Sequence, residues 1–336
     1  MIQPIKMSFP LLNFFVLYQE TKRCFFNMEG FKTYMEVYEK RQLDPDKMSA
    51  KIAVVVIARN EEKYIKKTLI HLLQQTIKPI KIVLVNDGST DKTREIVSQF
   101  AEIDIVDCKP HESFVTKKQL ADTINAGIEK IRNLSDVEYV MILGADHILP
   151  HNYLERVIKR MAENPQIVIA SGIIDGEFSV TVRGSGRIVK AKFWKKIGFF
   201  YPVNYGFESY LLLKARSMNY DVVLFDDIVT STQRKTALSY NSKLYYNYGQ
   251  ALKALGYTVP YTLFKAGLLF FTKPFGAVYL LSGFFSNYDQ YYETEIREFV
   301  KKQQNHKLRH LNYDDVKRFI TSMHYTTNLS YKQQNS

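Results

Sequence analysis

The chain is poor in cysteine. Among 336 residues only Cys24 and Cys108 occur, at no metal-binding or redox spacing, so a disulfide framework and a cysteine-ligated zinc site are excluded. A reducing compartment suits such a chain. Tryptophan occurs once, and no charge-free apolar run reaches the roughly 20 residues that a membrane-spanning helix needs. No GxGxxG follows the first strand-like run and no GxxxxGK[ST] occurs anywhere, which leaves dinucleotide-type and P-loop phosphate sites unsupported. The apolar patch at 9–17 is broken by Asn13 and followed by no small-residue cleavage site, so a secretory signal is not expected. Acidic residues are in deficit: 34 against 46 Lys and Arg, a formal net charge of +12. That balance points to an anionic partner. Aromatic and basic residues are not interleaved on a recognisable platform, so nucleic acid is not the expected partner.

What is present is a core. Hydrophobic residues make up 46% of the chain and charged residues 24%, a composition that folds. "KIAVVVIARN" from Lys51 is a continuous β-branched run of the kind buried on both faces of a parallel sheet. Asn60, Glu61 and Glu62 follow as an N-cap and acidic first turn, and Ile65, Leu69, Leu72 and Leu73 form one helical face. "IKIVLV" at 80–85 is a second buried strand, and "NDGSTDKTREIVSQF" turns into another helix. The alternation continues with a strand at 103–106, a helix at 117–132, a strand at 138–143 and a helix in "PHNYLERVIKRMAENP". "IVIASGII" is a further strand, "VTVRGSGRIV" a glycine-broken one, "FESYLLLKARSM" a helix, and "DVVLF" at 221–225 the closing strand. The expected fold is a three-layer α/β domain with a mostly parallel central sheet.

Beyond it the composition shifts. Residues 261–288 are apolar and aromatic but interrupted by Lys265, Lys273 and Pro274, so two short helices in a membrane interface are expected. Packing on the α/β domain as an ordinary hydrophobic appendage is the other reading. Residues 1–48, ending at a methionine just before the first strand, read as an extension that is either dispensable or a start-site artefact. The expected organisation is 1–48 N-terminal extension, 49–236 catalytic domain, and 237–336 helical, aromatic-rich, membrane-associating region.

In open parallel sheets ligands bind beyond the carboxyl ends of the strands. Arg59 and Asn60, Asn86 and Asp87, and Asp146 and His147 stand at those ends. Asp87 can accept from a ribose hydroxyl or a uracil N–H there; turn and capping chemistry in "NDGSTD" is its plainer use.

"VVVIARNEEKYIKKTLIHLLQQT", "KIVLVNDGSTDKT", "LADTINAGIEKI", "VMILGADHILP", "RGSGRIVKAKFWKKIGFF" and "ESYLLLKARSMNYDVVLFDDI" resemble, in order and spacing, the family 2 glycosyltransferases of GT-A (Rossmann-like) fold, of the prokaryotic and archaeal type. The resemblance implies a UDP- or GDP-linked sugar donor, inversion at the anomeric carbon, and a divalent cation, Mn2+ or Mg2+. It places Asp87 at the nucleoside, with Arg59, Glu61, Lys118, Asn125 and Ala145 around the donor. Asp146 stands as the last aspartate of the DxD motif and, with His147, at the metal. Glu208 falls where the family has the general base. Gly144 departs from the motif's first aspartate, and Thr232 stands where many relatives have a histidine, so a weak metal site is expected. Arg234 and Lys235 then share in neutralising the diphosphate. The expected activity is transfer to a lipid-linked or membrane-proximal acceptor, peripherally on the cytoplasmic face of the cell membrane. The alternative is a non-catalytic nucleotide-sugar-binding or scaffold subunit.

Overall fold

The computed structural model describes residues 50–109, 119–177, 181–234 and 242–310. Within them the strands are β1 (Ile52–Ala58), β2 (Lys81–Asn86), β3 (Ile103–Asp107), β4 (Tyr139–Gly144), β5 (His147–Ile148), β6 (Ile167–Ile174), β7 (Arg187–Lys190) and β8 (Asp221–Thr232). They lie side by side in the order β3-β2-β1-β4-β7-β6-β8-β5. β3, β2, β1 and β4 are mutually parallel, as are β6 and β8, while β7 runs antiparallel to both of its neighbours. The sheet is therefore mostly parallel, as the β-branched runs predict.

β1 shows why. Ile52, Val54 and Val56 point into one apolar layer, Ala53 and Val55 into the other, and all five are fully buried. A strand covered on both faces needs no polar alternation. The first layer is closed by helices α1 (Ile65–Leu73) and α4 (Tyr153–Glu163), which contribute Leu69, Leu72, Leu154, Val157 and Met161. Each such leucine contributes roughly 1.5–3 kcal/mol by leaving water. The short helix α2 (Thr93–Val97) adds Val97 to the same layer. The second is closed by α3 (Gln119–Arg132), α5 (Ala191–Lys196) and α6 (Phe207–Ser217), with Ile128, Trp194 and Leu211 fully or almost fully buried.

Three local expectations are corrected. Asn60 does not cap a helix: it has a left-handed backbone (φ 52), and the helix proper starts at Ile65. Its carboxamide oxygen accepts the Thr90 amide, so it fastens the loop after β1 to the loop after β2. Among the described residues of "VTVRGSGRIV" only the last three, Arg187 to Val189, are in a strand, the start of Arg187–Lys190; residues 181–186 form an irregular loop whose carbonyls receive the buried Arg187 guanidinium at Arg183 and Val182. β8 continues seven residues beyond the expected end at 225, through a register shift opposite Gly172 and Ile173.

The C-terminal helices are α7 (Ser242–Ala254), α8 (Val259–Phe270), α9 (Pro274–Phe284) and α10 (Thr294–Arg309). α7 and α9 cross backbone to backbone. A Cβ added at Gly249 would lie 2.0 Å from the Leu280 carbonyl oxygen, and one at Gly283 2.0 Å from that of Tyr246. Only glycine permits that approach. Among the described residues no helix is long and apolar enough to cross a membrane.

Candidate active site

Register brings the polar strand ends together. Ala58 of β1 lies opposite Asn86 of β2, and Ile57 opposite Gly144 of β4. The chain leaves these strands under control: the Asp87 amide donates to the Ala58 carbonyl at 2.8 Å, and that of Ala145 to the Ile57 carbonyl at 3.2 Å. Arg59, Asp87 and Asp146 thus emerge side by side at the carboxyl edge.

Asp87 is 5% exposed. Its Oδ1 accepts from the Thr123 hydroxyl of α3 at 2.8 Å, and Arg59 Nη1 stands 3.7 Å from Oδ2 while donating to the Asp87 carbonyl. The capping work in "NDGSTD" falls to Asp91, which accepts from Thr93 and from the Glu62 amide. Against the upward push of partial burial, those hydrogen bonds hold the Asp91 carboxyl below its usual range. Asp87 is therefore left for something other than the turn. Because Asp87 is buried and bonded, the isosteric Asp87→Asn change is the appropriate probe. It is expected to weaken UDP or GDP binding by at least about tenfold, the effect of losing a charge-assisted hydrogen bond. Calorimetry on the folded variant checks this; unchanged affinity would remove Asp87 from the site.

Asp146 does not stand alone. Arg234 donates from Nε to Asp146 Oδ2 at 2.9 Å and from Nη2 to Glu61 Oε1 at 2.5 Å, so one guanidinium bridges two carboxylates. Its Cζ lies 5.5 Å from the centre of the Tyr64 ring. The long β8 delivers it there: Gln233 donates its amide to the Asp146 carbonyl and its carboxamide to Tyr64 and Thr68. Glu61 is 6% exposed, and its Oε2 has no hydrogen-bond partner among the described residues. Burial pushes its carboxyl above the usual range, Arg234 pulls it back, and the Asp146 charge adds to the push.

His147 takes a different place from the one implied. Its side chain faces away from Asp146 in sequence parity, and both ring nitrogens are engaged: Nδ1 with the Ser185 hydroxyl at 2.6 Å, Nε2 with the Thr230 hydroxyl at 2.8 Å. Thr230 donates its own proton to the Ile173 carbonyl, which makes His147 Nε2 a donor and Nδ1 an acceptor. A ring so occupied has no lone pair for a metal. Burial, with the Arg183 charge adding, holds it down to about 4. A histidine in the unfolded chain titrates near 6.5. The unfolded state thus binds the extra proton between those values, and the native state keeps its full stability above pH 6.5 and loses it on acidification towards pH 4. The loss approaches about 3 kcal/mol over the whole interval. Denaturation midpoints should fall more steeply from pH 6.5 to 4.5 in the wild type than in His147→Gln; equal slopes would contradict this.

Two residues assigned to the donor have polar groups engaged within the fold. Asn125 donates to the Tyr201 carbonyl at 2.7 Å and accepts from the Tyr201 amide at 2.8 Å, so its carboxamide clamps the loop that leads to Glu208. Ala145 has its methyl in the core, and its carbonyl accepts from Thr68. Thr232 pairs with His147 in the short β5–β8 ladder. Lys118 and Lys235 lie outside the described residues.

Glu208 opens α6 after Gly206, whose φ of 78 reverses the chain. The loop at 181–186 ties it to the β4 edge. Ser185 accepts the Gly144 amide at 2.8 Å, and a Cβ on the adjacent Gly184 would lie 1.9 Å from Glu208 Oε1. Among the described residues no hydrogen bond reaches the Glu208 carboxylate. Ser185 and Gly184 were not singled out by sequence reasoning; two glycines between two arginines in "RGSGR" are the signal that marks them.

Among the described residues no three His, Cys, Asp or Glu side chains converge as a metal site. The feature that suits a cation is the orphaned, buried Glu61 Oε2 next to the Asp146 carboxylate.

A three-layer α/β fold with carboxylates gathered at the ends of parallel strands defines a class of ligand-binding and transfer domains. The family profile for glycosyl transferase family 2 matches residues 53–229, more than half of the chain, and the protein belongs to that family. Similar curated proteins include glycosyltransferase GlyA of Streptococcus pneumoniae serotype 4, 35% identical over 34% of this chain and 15% of its own length. Glycosyltransferase GlyG of the same organism is 32% identical over 43% of this chain and 47% of its own. The matches thus span less than half of either relative. In structure the chain is similar to mannosyltransferase PcManGT from Pyrobaculum calidifontis in complex with GDP-Man and Mn2+, with a TM-score of 0.51 at 17% identity, covering 91% of this chain and 95% of the other. Residues 1–349 of S. aureus TarS in complex with UDP-GlcNAc give a TM-score of 0.50 at 16% identity, covering 84% and 92%. These likenesses establish the GT-A fold.

Proposed function

We propose that the protein is an inverting glycosyltransferase that moves a sugar from a UDP- or GDP-linked donor to a lipid-linked or membrane-proximal acceptor. The observation that carries this is the placement of Asp87 and Asp146 at one edge of the sheet, with the 181–186 loop running from that edge to Glu208 of α6. Single displacement needs one base for the acceptor hydroxyl and positive charge for the leaving diphosphate, and no covalent nucleophile. Asp87 holds the nucleoside, Glu208 takes the acceptor proton, and Arg234 approaches the diphosphate from β8. A divalent cation, Mn2+ or Mg2+, would be held at the Asp146 carboxylate and would supply positive charge for the leaving diphosphate. Structural neighbours bound to GDP-Man and to UDP-GlcNAc carry donors of this kind. A thermal-shift screen of nucleotide sugars, with and without Mn2+, followed by transfer assays on the hits, tests the reading. Binding with no transfer to any lipid-linked acceptor would favour a non-catalytic subunit instead.

The acceptor class rests on α8 and α9. Their inner faces bury Ala266, Leu269, Ala277 and Leu280, yet Phe270, Phe271, Phe275 and Val278 are 56–87% exposed around the turn that joins them. Lys273 lies in that turn, whereas Lys265 is turned inward over the Tyr248 and Tyr257 rings. Exposed apolar side chains beside a lysine suit an anionic bilayer surface, and the cytoplasmic face of the cell membrane supplies one. Deleting residues 257–336 would uncover Tyr210 and Leu213 of α6, which pack with Tyr292, Ile296 and Val300, so point changes are the better test. Full-length protein should bind anionic vesicles in a salt-sensitive way, and Phe271→Glu with Phe275→Glu should weaken binding by about 100-fold, from about 3 kcal/mol of lost burial. Equal sedimentation of both proteins with vesicles would refute the membrane assignment.

A further inference from the structure

Position 144 is glycine where the resemblance calls for the first metal-binding aspartate, and His147 has no free nitrogen. The structure nevertheless brings a second carboxylate to Asp146 from another strand end. Glu61 follows β1 in sequence, is turned inward by the left-handed Asn60, and shares the Arg234 guanidinium with Asp146. Two carboxylates and one guanidinium leave this cluster with a net charge of −1. A sugar diphosphate brings further negative charge, so Arg234 by itself leaves the assembly short of cations. The buried Glu61 carboxylate keeps one oxygen, Oε2, without a hydrogen-bond partner among the described residues, an acceptor that a cation would satisfy.

We infer that Glu61 supplies the carboxylate that position 144 lacks. A divalent cation is held between Glu61 and Asp146, and Arg234 is its intramolecular stand-in, occupying both carboxylates until the cation takes them and frees the guanidinium for the diphosphate. Hard cations of the Mg2+ and Mn2+ type take oxygen ligands, often only one or two protein carboxylates with the rest from water and phosphate. The exchange explains how one site can keep an arginine on its metal carboxylate and still use a metal. The deduction rests on the proposed function for the use of the cation, but not for the existence of the site.

The test uses the full-length chain and Mn2+ alone, with binding read by calorimetry or by loss of the free Mn2+ resonance signal. Wild type should show weak saturable binding. Glu61→Gln should weaken it by at least about tenfold, the scale seen when a metal site loses a supporting group, and Glu61→Asp should retain part of it. Arg234→Ala should tighten it, because the competing internal cation is gone. A second arm titrates UDP and GDP with Mn2+ or with chelator. Mn2+ binding that is indifferent to both Glu61→Gln and Arg234→Ala overturns the inference. Nucleotide affinity that is equal in chelator and in Mn2+ but lost in Arg234→Ala also overturns it, since arginine then replaces the metal. Glu61-dependent Mn2+ binding with no nucleotide bound under any condition supports the site and refutes the proposed function.

Discussion

Replacing Glu208 by glutamine is expected to lower turnover by roughly 10²–10⁴-fold, the range for a lost acid–base group, with donor affinity nearly unchanged. Glu208 sits in the first turn of α6, where the helix dipole favours a carboxylate, and no side chain among the described residues hydrogen-bonds to it. A surface glutamate kept only for the dipole would predict a stability change of under about 1 kcal/mol and unaltered kcat. The two roles therefore separate cleanly in kinetics. Donor affinity is the internal control, because the groups assigned to the nucleotide, Arg59 and Asp87, follow β1 and β2, whereas Glu208 is carried by α6. Retained turnover would mean that the acceptor arrives already ionised, as a lipid phosphate does, and needs no base.

Gly184→Ala should be comparably damaging although it removes nothing chemical. The added methyl would stand 1.9 Å from Glu208 Oε1 and 3.0 Å from its carboxyl carbon, so the carboxylate must move by an ångström or more. A displacement of that size at the reacting centre costs on the order of 10²-fold in rate. Gly184 is not among the positive-φ glycines, so alanine strains no backbone and the melting temperature should change little. The expected signature is a fall in kcat at preserved stability and preserved nucleotide binding. A variant that turns over like wild type would show that the carboxylate in its present position is not the catalytic one.

How much of this was readable before the fold? The sheet was, because strands such as "IAVVVIA" and "KIVLVN" are apolar on both faces and the helices between them are amphipathic; of the expected α1 face Ile65, Leu69 and Leu72 are buried, Leu73 is half-buried, and Thr68, outside the pattern, is buried. The strand-end placement of Asp87 and Asp146 followed from the same pattern. Contacts set by distant register did not. Arg234 reaches Asp146 across 88 positions in sequence only because β8 runs on past a register shift, and no periodicity in "DVVLFDDIVTST" announces that. Glu61 reads as a first-turn helix residue, and it is the left-handed Asn60 that turns it into the site. His147 invites a metal reading from its neighbour in sequence, yet strand parity sends it to Ser185 and Thr230. Asn125 reads as a polar residue beside the donor; the main chain of Tyr201, 76 positions away, takes both of its amide atoms.

The central claim is a single displacement at the Asp87–Asp146–Glu208 edge, and the stereochemistry of the product tests it most directly. With a donor identified by the screen, release of the nucleoside diphosphate and the anomeric configuration of the new glycoside are followed together by NMR. The account predicts a product of configuration opposite to that of the donor, formed in step with nucleotide release and suppressed by Glu208→Gln. A product that retains the donor's configuration, or one formed as fast without the Glu208 carboxylate from a neutral acceptor, would contradict it.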